Sequence, residues 1–298
     1  MVRDREEGKV PGGRWPQDEE FLDDETESGV LTLQGIDTLR EGYSWVRALE
    51  RRHPGWRLIV PDSDPFAAAK QPAVSKACLV SFAGVYLRGQ KPFSISPGMV
   101  PSEYRKMNFR DRGDWSVHSI PRDCNLSDLA VSHRHYDHAE ADEDINCVFP
   151  LARLKELALD GVIGECADDH YSLMGYVPQV QLIVQTALQH VIPALRKQGV
   201  DLVVVSGGCA LSHYSAGLIQ REIEAAGIPT VAVSVCPDIS ERLRVPRAAA
   251  LRFPLGNPFG AALDHATQSR ILKDVLALVE KAQPGSTVIR LPYDWGQL

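Results

Sequence analysis

The stretch Gly199-Val-Asp-Leu-Val-Val-Val-Ser-Gly-Gly-Cys-Ala-Leu-Ser-His-Tyr-Ser-Ala-Gly217 decides the fold. Leu202 to Val205 is a short apolar run rich in β-branched residues, the composition of a strand buried on both faces. Ser206, Gly207 and Gly208 break it, and Leu218, Ile219, Ile223 and Ala226 then recur with helical spacing as far as Gly227. A strand running directly into a helix predicts one unit of an open α/β sheet. It puts Cys209 at the turn, where such sheets place their ligand crevice. N–H groups at a helix start favour negative charge, so Cys209 is expected to be an accessible thiol with thiolate character. Gly207 and Gly208 are expected to let a substrate approach the backbone, with Ser212 beside them as a binding group. His213, one helical turn beyond Cys209, is the candidate base. The competing reading makes Cys209 a small buried apolar residue.

Outward from this unit, Ala77–Val80, Trp115–Ile120, Asp128–Val131, Pro229–Val235 and Thr287–Arg290 read as strands. Residues 150–160, 180–197 and 262–282 read as helices, with Pro193 kinking or shortening the second. Strands alternating with helices predict an α/β fold with a mainly parallel, doubly wound sheet in three layers. The main domain is expected over 65–298, open to division into half-sheets at 65–175 and 176–298. Residues 29–64 read as an N-terminal helical extension, with Ile36, Leu39, Tyr43, Val46 and Leu49 on its apolar face. Residues 1–28 read as an acidic flexible tail or arm; their four basic and ten acidic side chains hold most of the formal net charge of −7.

The near-neutral remainder argues against a nucleic-acid partner or an anionic membrane surface. No apolar run reaches membrane-spanning length, and the first residues are charged without an apolar signal core. Six cysteines (Cys78, Cys124, Cys147, Cys166, Cys209, Cys236) stand singly with no CxxC pair, which fits a reducing cytoplasm better than a disulfide framework. No nucleotide-cofactor motif is present.

Directly after an expected strand comes Ser132-His133-Arg134-His135-Tyr136-Asp137-His138. Alternate residues of an extended chain share a face, so His133 and His135 point together, and His138 joins them if the chain turns after Tyr136. Such a cluster is a candidate site for a divalent transition metal, zinc or iron, with Asp137 as a further ligand or as a group orienting an imidazole. The run resembles the HxHxDH signature of metallo-β-lactamase-type hydrolases, although the surrounding βα pattern lacks their β-sandwich and further ligands. Two other readings stand beside it. One is a polar turn bonded to backbone and to the acids of Glu140-Ala-Asp-Glu-Asp144. The other is metal-free proton transfer by His135 or His138.

Several stretches occur in one order along the chain: Cys78-Leu-Val-Ser-Phe-Ala-Gly84, Ile120-Pro-Arg-Asp123, Leu126-Ser-Asp-Leu129 and the histidine run. Asp144-Ile-Asn146, Val148-Phe-Pro150, His170-Tyr-Ser172, Gly199-Val-Asp201 and Pro254-Leu-Gly-Asn-Pro258 complete the series. Together, over residues 65–259, they resemble the B component of glycine/sarcosine/betaine reductase and D-proline reductase. The resemblance implies a reductase that cleaves a C–N or C–S bond of a small amino-acid-like substrate. It implies a selenocysteine position at Cys209, and hence a nucleophile or redox centre there. It also implies a pyruvoyl-bearing partner, and the chain is expected to form a homo-oligomer and to use a thiol reductant or partner reductase subunit. One departure matters: Ser212 and Ser215 stand where the family's reductases carry cysteines, so no resolving thiol lies nearby in sequence.

Arg122 and Arg247 are candidates for binding a substrate carboxylate, and His170 for the site. Cys78 raises the two-cysteine amino-acid racemase layout, but its place inside a strand marks it as core. Three functions follow: a reductase using Cys209 with His135 and His138; a metal-dependent hydrolase or lyase built on His133, His135 and His138; or a non-catalytic subunit of a multi-protein reductase.

Overall fold

The computed structural model describes residues 43–52, 57–59, 61–94, 113–178, 180–285 and 287–295. The acidic arm and the first part of the N-terminal extension lie outside them. Within the extension, α1 spans Trp45–Arg52 and buries Trp45, Val46 and Leu49.

The strands are β1 Lys76–Phe82, β2 Val85–Leu87, β3 Val117–Pro121, β4 Leu129–Val131, β5 Glu165–Cys166, β6 Asp169–Leu173, β7 Leu202–Gly207, β8 Thr230–Ser234, β9 Arg247–Arg252 and β10 Thr287–Asp294. The helices that follow α1 are α2 Ala139–Glu143, α3 Leu151–Leu159, α4 Val180–Thr186, α5 Ile192–Lys197, α6 Ala210–Ala225, α7 Pro237–Arg242 and α8 His265–Lys281. The main sheet runs β10-β9-β8-β7-β1-β6-β3, with β5 also paired to β1. Every pairing in it is parallel except β3 against β6. The fold is therefore the expected mainly parallel α/β sheet.

All residues of β7 and β8 are buried, as are all of β1 after Lys76. A strand buried along its whole length has helices over both faces, and the side chains that permit this are those of Val203, Val204, Val205, Val231 and Val233. Burying each stabilises the fold by roughly 1.5–3 kcal/mol, relative to leaving it exposed. α6 packs with α4 and α7, while α3 packs with α8. No helix of the described residues is long and apolar enough to cross a membrane.

One expectation needs correction. Asp128–Val131 does not enter the main sheet: β4 pairs with β2 as a separate antiparallel ribbon. The helix over 180–197 is interrupted near Pro193, as expected, into α4, a π-helical turn at Ala187–Val191, and α5. The break sits just before Pro193, which has no N–H for the regular ladder. Four strands escaped the sequence reading: the short β2 and β5, β6 with its buried His170 and Ser172, and the alanine-rich β9.

Candidate functional site

The sheet sends the chain in two directions from its centre. After β1 it crosses to β5 and β6, and after β6 it returns to β7 on the other side of β1. The carboxyl ends of β1 and β7, where Ser81 pairs with Ser206 and Phe82 with Gly207, therefore form the topological switch point. Ser206 Oγ and Ser81 Oγ each lie 3.2 Å from the Val148 carbonyl, so the Val148-Phe-Pro150 segment is fastened across these two strand ends.

Cys209 leaves β7 and becomes the N-cap of α6. Its Sγ accepts the Ser212 N–H at 3.3 Å. Ser212 Oγ in turn accepts the N–H groups of Gly208 (2.8 Å) and Cys209 (2.7 Å) and donates to the Cys209 carbonyl (2.8 Å). This reciprocal capping box uses donors that a helix start would otherwise leave orphaned. Ser212, expected to bind substrate, is fully buried and engaged in the cap. Cys209 itself is 2% exposed, so in this conformation the thiol is covered and not accessible as expected.

The cover is built by the histidine run. Tyr136 is buried and donates its hydroxyl to the Ala83 carbonyl just after β1 (2.7 Å). A Cβ at Gly208 would run into the Tyr136 ring, and one at Gly256 would lie 2.6 Å from that ring's Cδ2. Gly256 also has φ +90°, a conformation that glycine adopts without strain, and its N–H donates to the Gly208 carbonyl at 3.0 Å. Three loops thus meet over Cys209. The space beside Gly208 is filled by Tyr136, and the space beside Gly207 by the His213 ring, whose Nδ1 would be 2.8 Å from an added Cβ. The glycines admit the protein's own rings here.

The three imidazoles expected to hold a metal do not converge. His133 and His135 stand edge to face with centroids 5.6 Å apart, and His133 Nδ1 accepts the His135 backbone N–H at 3.0 Å. The His135 ring stacks on Tyr176 at 3.4 Å. His138 Nδ1 pairs with Asp142 at 2.7 Å, and Asp137 accepts the Ala139 N–H. Among the described residues, no group of three His, Cys, Asp or Glu side chains is placed to hold one ion. The metal expectation finds no support in this geometry. Burial pushes the His133 pKa down to about 3, with His138 adding to the effect and the Met174 carbonyl opposing it. The polar-turn reading fits the His138–Asp142 pair, whereas two other acids of that stretch bond elsewhere: Glu140 accepts from Asn257 and Ala262, and Asp144 from Leu263 and Gln268. Both carboxylates pin the loop after β9.

His213 is engaged on both sides, its Nδ1 2.7 Å from the Cys209 carbonyl and its Nε2 accepting the Val235 N–H at 3.3 Å. Burial holds its pKa down at about 4. No ring nitrogen is left to act on the Cys209 sulfur. Arg122 lies elsewhere. Pro121 pairs with Asp169, the first residue of β6, so Arg122 sits at the amino end of the parallel strands, bonded to Asp168 and to the Cys166 carbonyl. His170 lies inside the sheet, accepting the Leu79 N–H and contacting Cys166 Sγ. Arg247 is buried, paired with Glu224 and stacked over Phe66. Of the candidates, the fold gathers Cys209, Ser212, His213, Gly207, Gly208, His133 and His135 at the carboxyl end, and leaves Arg122 and His170 away from it.

Residues 94–207 match the glycine/sarcosine/betaine reductase selenoprotein B family (GRDB). The chain is 30% identical over 217 residues to the D-proline reductase subunit gamma of Acetoanaerobium sticklandii, covering 73% of this chain and 83% of that protein. The chain belongs to this family. It is also 25% identical over 228 residues to the glycine reductase complex component B subunit gamma of Carboxydothermus hydrogenoformans, 75% of this chain but 50% of that subunit. Identity to the sarcosine reductase complex component B subunit beta of Peptoclostridium acidaminophilum is 28% over 155 residues, 51% of this chain and 35% of that subunit. The chain thus spans about half or less of these two longer subunits. No solved structure matches.

For this selenoprotein B family member, the residue that sequence reasoning missed is Tyr136. It joins the ends of β1 and β7 to the loop after β9, yet in sequence it stands among five conspicuous polar neighbours, His133, Arg134, His135, Asp137 and His138. The signal available was the pair Gly208 and Gly256, whose missing side chains leave room for a ring.

Proposed function

We propose that this chain is a subunit of a multi-protein amino-acid reductase, and that Cys209 is the group at which a C–N or C–S bond of a small amino-acid-like substrate is reductively cleaved. One observation carries the reading: Cys209 caps α6 beside the topological switch point, beneath loops that hold the stretches resembling the family. The reaction consumes two electrons and two protons, converting the bond between carbon and heteroatom into C–H and heteroatom–H. A thiol reductant or partner subunit supplies the electrons in a reducing compartment such as the cytoplasm. His138, half-buried and paired with Asp142, is the proton-handling group, and His135 orders the loop by stacking on Tyr176. Substrate reaches the sulfur when the His133–His138 loop lifts from Gly208 and Gly256.

The burial of Cys209 favours one competing reading, a non-catalytic subunit that positions its partners. Reconstitution with the partner subunits separates the two. Cys209→Ser and Cys209→Ala are expected to assemble normally and to lose substrate-dependent reductant oxidation. Turnover at the wild-type rate in both variants would establish the non-catalytic role.

A further inference from the structure

Cys209 has a counterpart on the neighbouring strand. β7 and β8 pair in parallel, with Val203 opposite Thr230 and Ser206 opposite Val233. β7 ends at Gly207 and β8 at Ser234, so Cys209 and Cys236 each stand two residues beyond the end of one of these neighbouring strands. Each cysteine is then the N-cap of the helix that follows, α6 for Cys209 and α7 for Cys236. The His213 ring ties the two turns together, from the Cys209 carbonyl on one side to the Val235 N–H on the other. Both thiols are buried, 2% and 0% exposed. Three other cysteines are engaged elsewhere: Cys78 with the Asp169 carbonyl, Cys147 with the Glu140 carbonyl and Cys166 with His170. The two strands that lead into these turns run roughly 4.8 Å apart, a spacing inside the range of roughly 4.4–6.8 Å between Cα atoms that a disulfide spans.

We propose that Cys209 and Cys236 form a redox-active pair that cycles between dithiol and disulfide, with Cys236 as the resolving thiol. The proposal deepens the reductase reading and rests on it for the destination of the electrons. In the oxidising half-cycle, the two thiols lose two electrons and two protons as the S–S bond forms. The electrons reduce the substrate carbon, and the protons end on that carbon and on the departing heteroatom. In the return half-cycle, a dithiol reductant attacks the S–S bond by thiol–disulfide exchange. It leaves as its own disulfide, and both cysteines regain their protons.

The electrostatics give the cycle an order. Burial pushes the Cys236 thiol up, and negative charge at Asp238 and at Cys209 pushes it further. While Cys209 is a thiolate, Cys236 is held protonated. Neutralising the Cys209 sulfur removes the smallest of these contributions, while burial, the largest, keeps Cys236 the protonated thiol of the pair. The second sulfur that Ser212 and Ser215 do not provide comes from a residue 27 positions away in sequence.

The test uses the purified full chain, oxidised with diamide, alkylated, and digested without reduction for peptide mass spectrometry. A Cys209–Cys236 cross-linked peptide is expected as the dominant disulfide, reverting with dithiothreitol. In Cys236→Ser that peptide is lost, and Cys209 is recovered alkylated or as a mixed disulfide. Circular dichroism checks the fold of the variant, and the wild-type cross-link stands as evidence without it. Recovery of both cysteines as free thiols, or pairing of Cys209 with Cys147, overturns the proposal. If the cross-link forms but Cys209→Ser still turns over in the reconstituted complex, the pair survives and the reductase assignment of Cys209 fails. If Cys209→Ser is inactive and no cross-link forms, the reverse holds.

Discussion

Two places in the chain put a histidine four residues after a cysteine, Cys166–His170 and Cys209–His213, and the fold uses them in opposite ways. In the first, the cysteine ends β5 and the histidine lies in β6, so the side chains meet with Sγ 3.4 Å from Nε2. His170 Nδ1 accepts the Leu79 N–H, which leaves the ring proton on Nε2 and makes the sulfur its acceptor. Burial raises Cys166 to about 11, against the opposing pull of Arg122 and Lys155. Burial also lowers His170 to about 3, with the same two cations adding to it. Both groups are neutral at pH 7, so this contact is a packed hydrogen bond rather than an activated thiol. In the second pair, helical geometry carries the His213 ring to the Cys209 carbonyl instead of the sulfur. Equal spacing therefore decides neither contact nor reactivity; the backbone between the two residues does.

The comparison breaks first on activity. Cys209→Ser is expected to lower turnover of the reconstituted complex at least about 100-fold, the scale on which removing a reacting group acts. Cys166→Ser should stay within about threefold of wild type, since its partner ring is not poised to move a proton. Equal losses in both variants would end the distinction.

Acid is the next lever. His170 and His213 are held at about 3 and about 4 in the fold, below their ordinary value, so the unfolded chain binds more protons than the folded chain from about pH 6.5 downward. Stability is then fully present above about pH 6.5 and is lost as pH falls toward the folded values, by about 1.4 kcal/mol per pH unit for each ring. Asp144 works in the same direction at lower pH. Burial alone would raise it, but hydrogen bonds from Gln268 and Asn146 bring it below the usual carboxylate range. Urea midpoints measured between pH 7 and pH 5 should fall steeply, and His213→Gln should flatten that slope by one proton. An unchanged slope would show that the ring is already charged in the fold.

Packing over Cys209 gives the third measurement. Gly208→Ala forces a methyl into the Tyr136 ring and should cost roughly 1–3 kcal/mol, because an overpacked core must shift to accept it. Gly89→Ala, with nothing within 4 Å of the new methyl, is the matched control and should shift the urea midpoint little. The smallest effect is expected at Arg122, whose side chain is 31% exposed in its pairs with Asp123 and Asp168. Arg122→Ala should cost less than about 1 kcal/mol and leave the substrate KM unchanged. A large rise in KM would bring the amino end of the sheet into the site.

The site was legible in part. Cys209 at a strand-to-helix turn follows from residues that are contiguous, and the capping box adds only which donors its sulfur and Ser212 satisfy. The histidine run was visible as a cluster, but its meaning was not. Alternation along an extended chain predicts a shared face for His133 and His135, whereas the loop turns their rings edge to face and hands one nitrogen to a backbone N–H. Tyr136 and Cys236 were passed over because their roles depend on elements far away in sequence.

By itself the sequence determined the β7–α6 unit, β1, β8, α3 and α8, because β-branching, apolar spacing and the glycine and proline breaks act through the local backbone. Only the tertiary structure decided β9. Arg247-Ala-Ala-Ala-Leu-Arg252 carries no β preference of its own and becomes a strand because β8 and β10 bond to it on both sides. The same holds for β6, whose buried His170 and Ser172 look polar in sequence. It holds also for the meeting of the Cys209 and Cys236 turns, since which strands become neighbours is a long-range choice made by packing rather than by any residue near either cysteine.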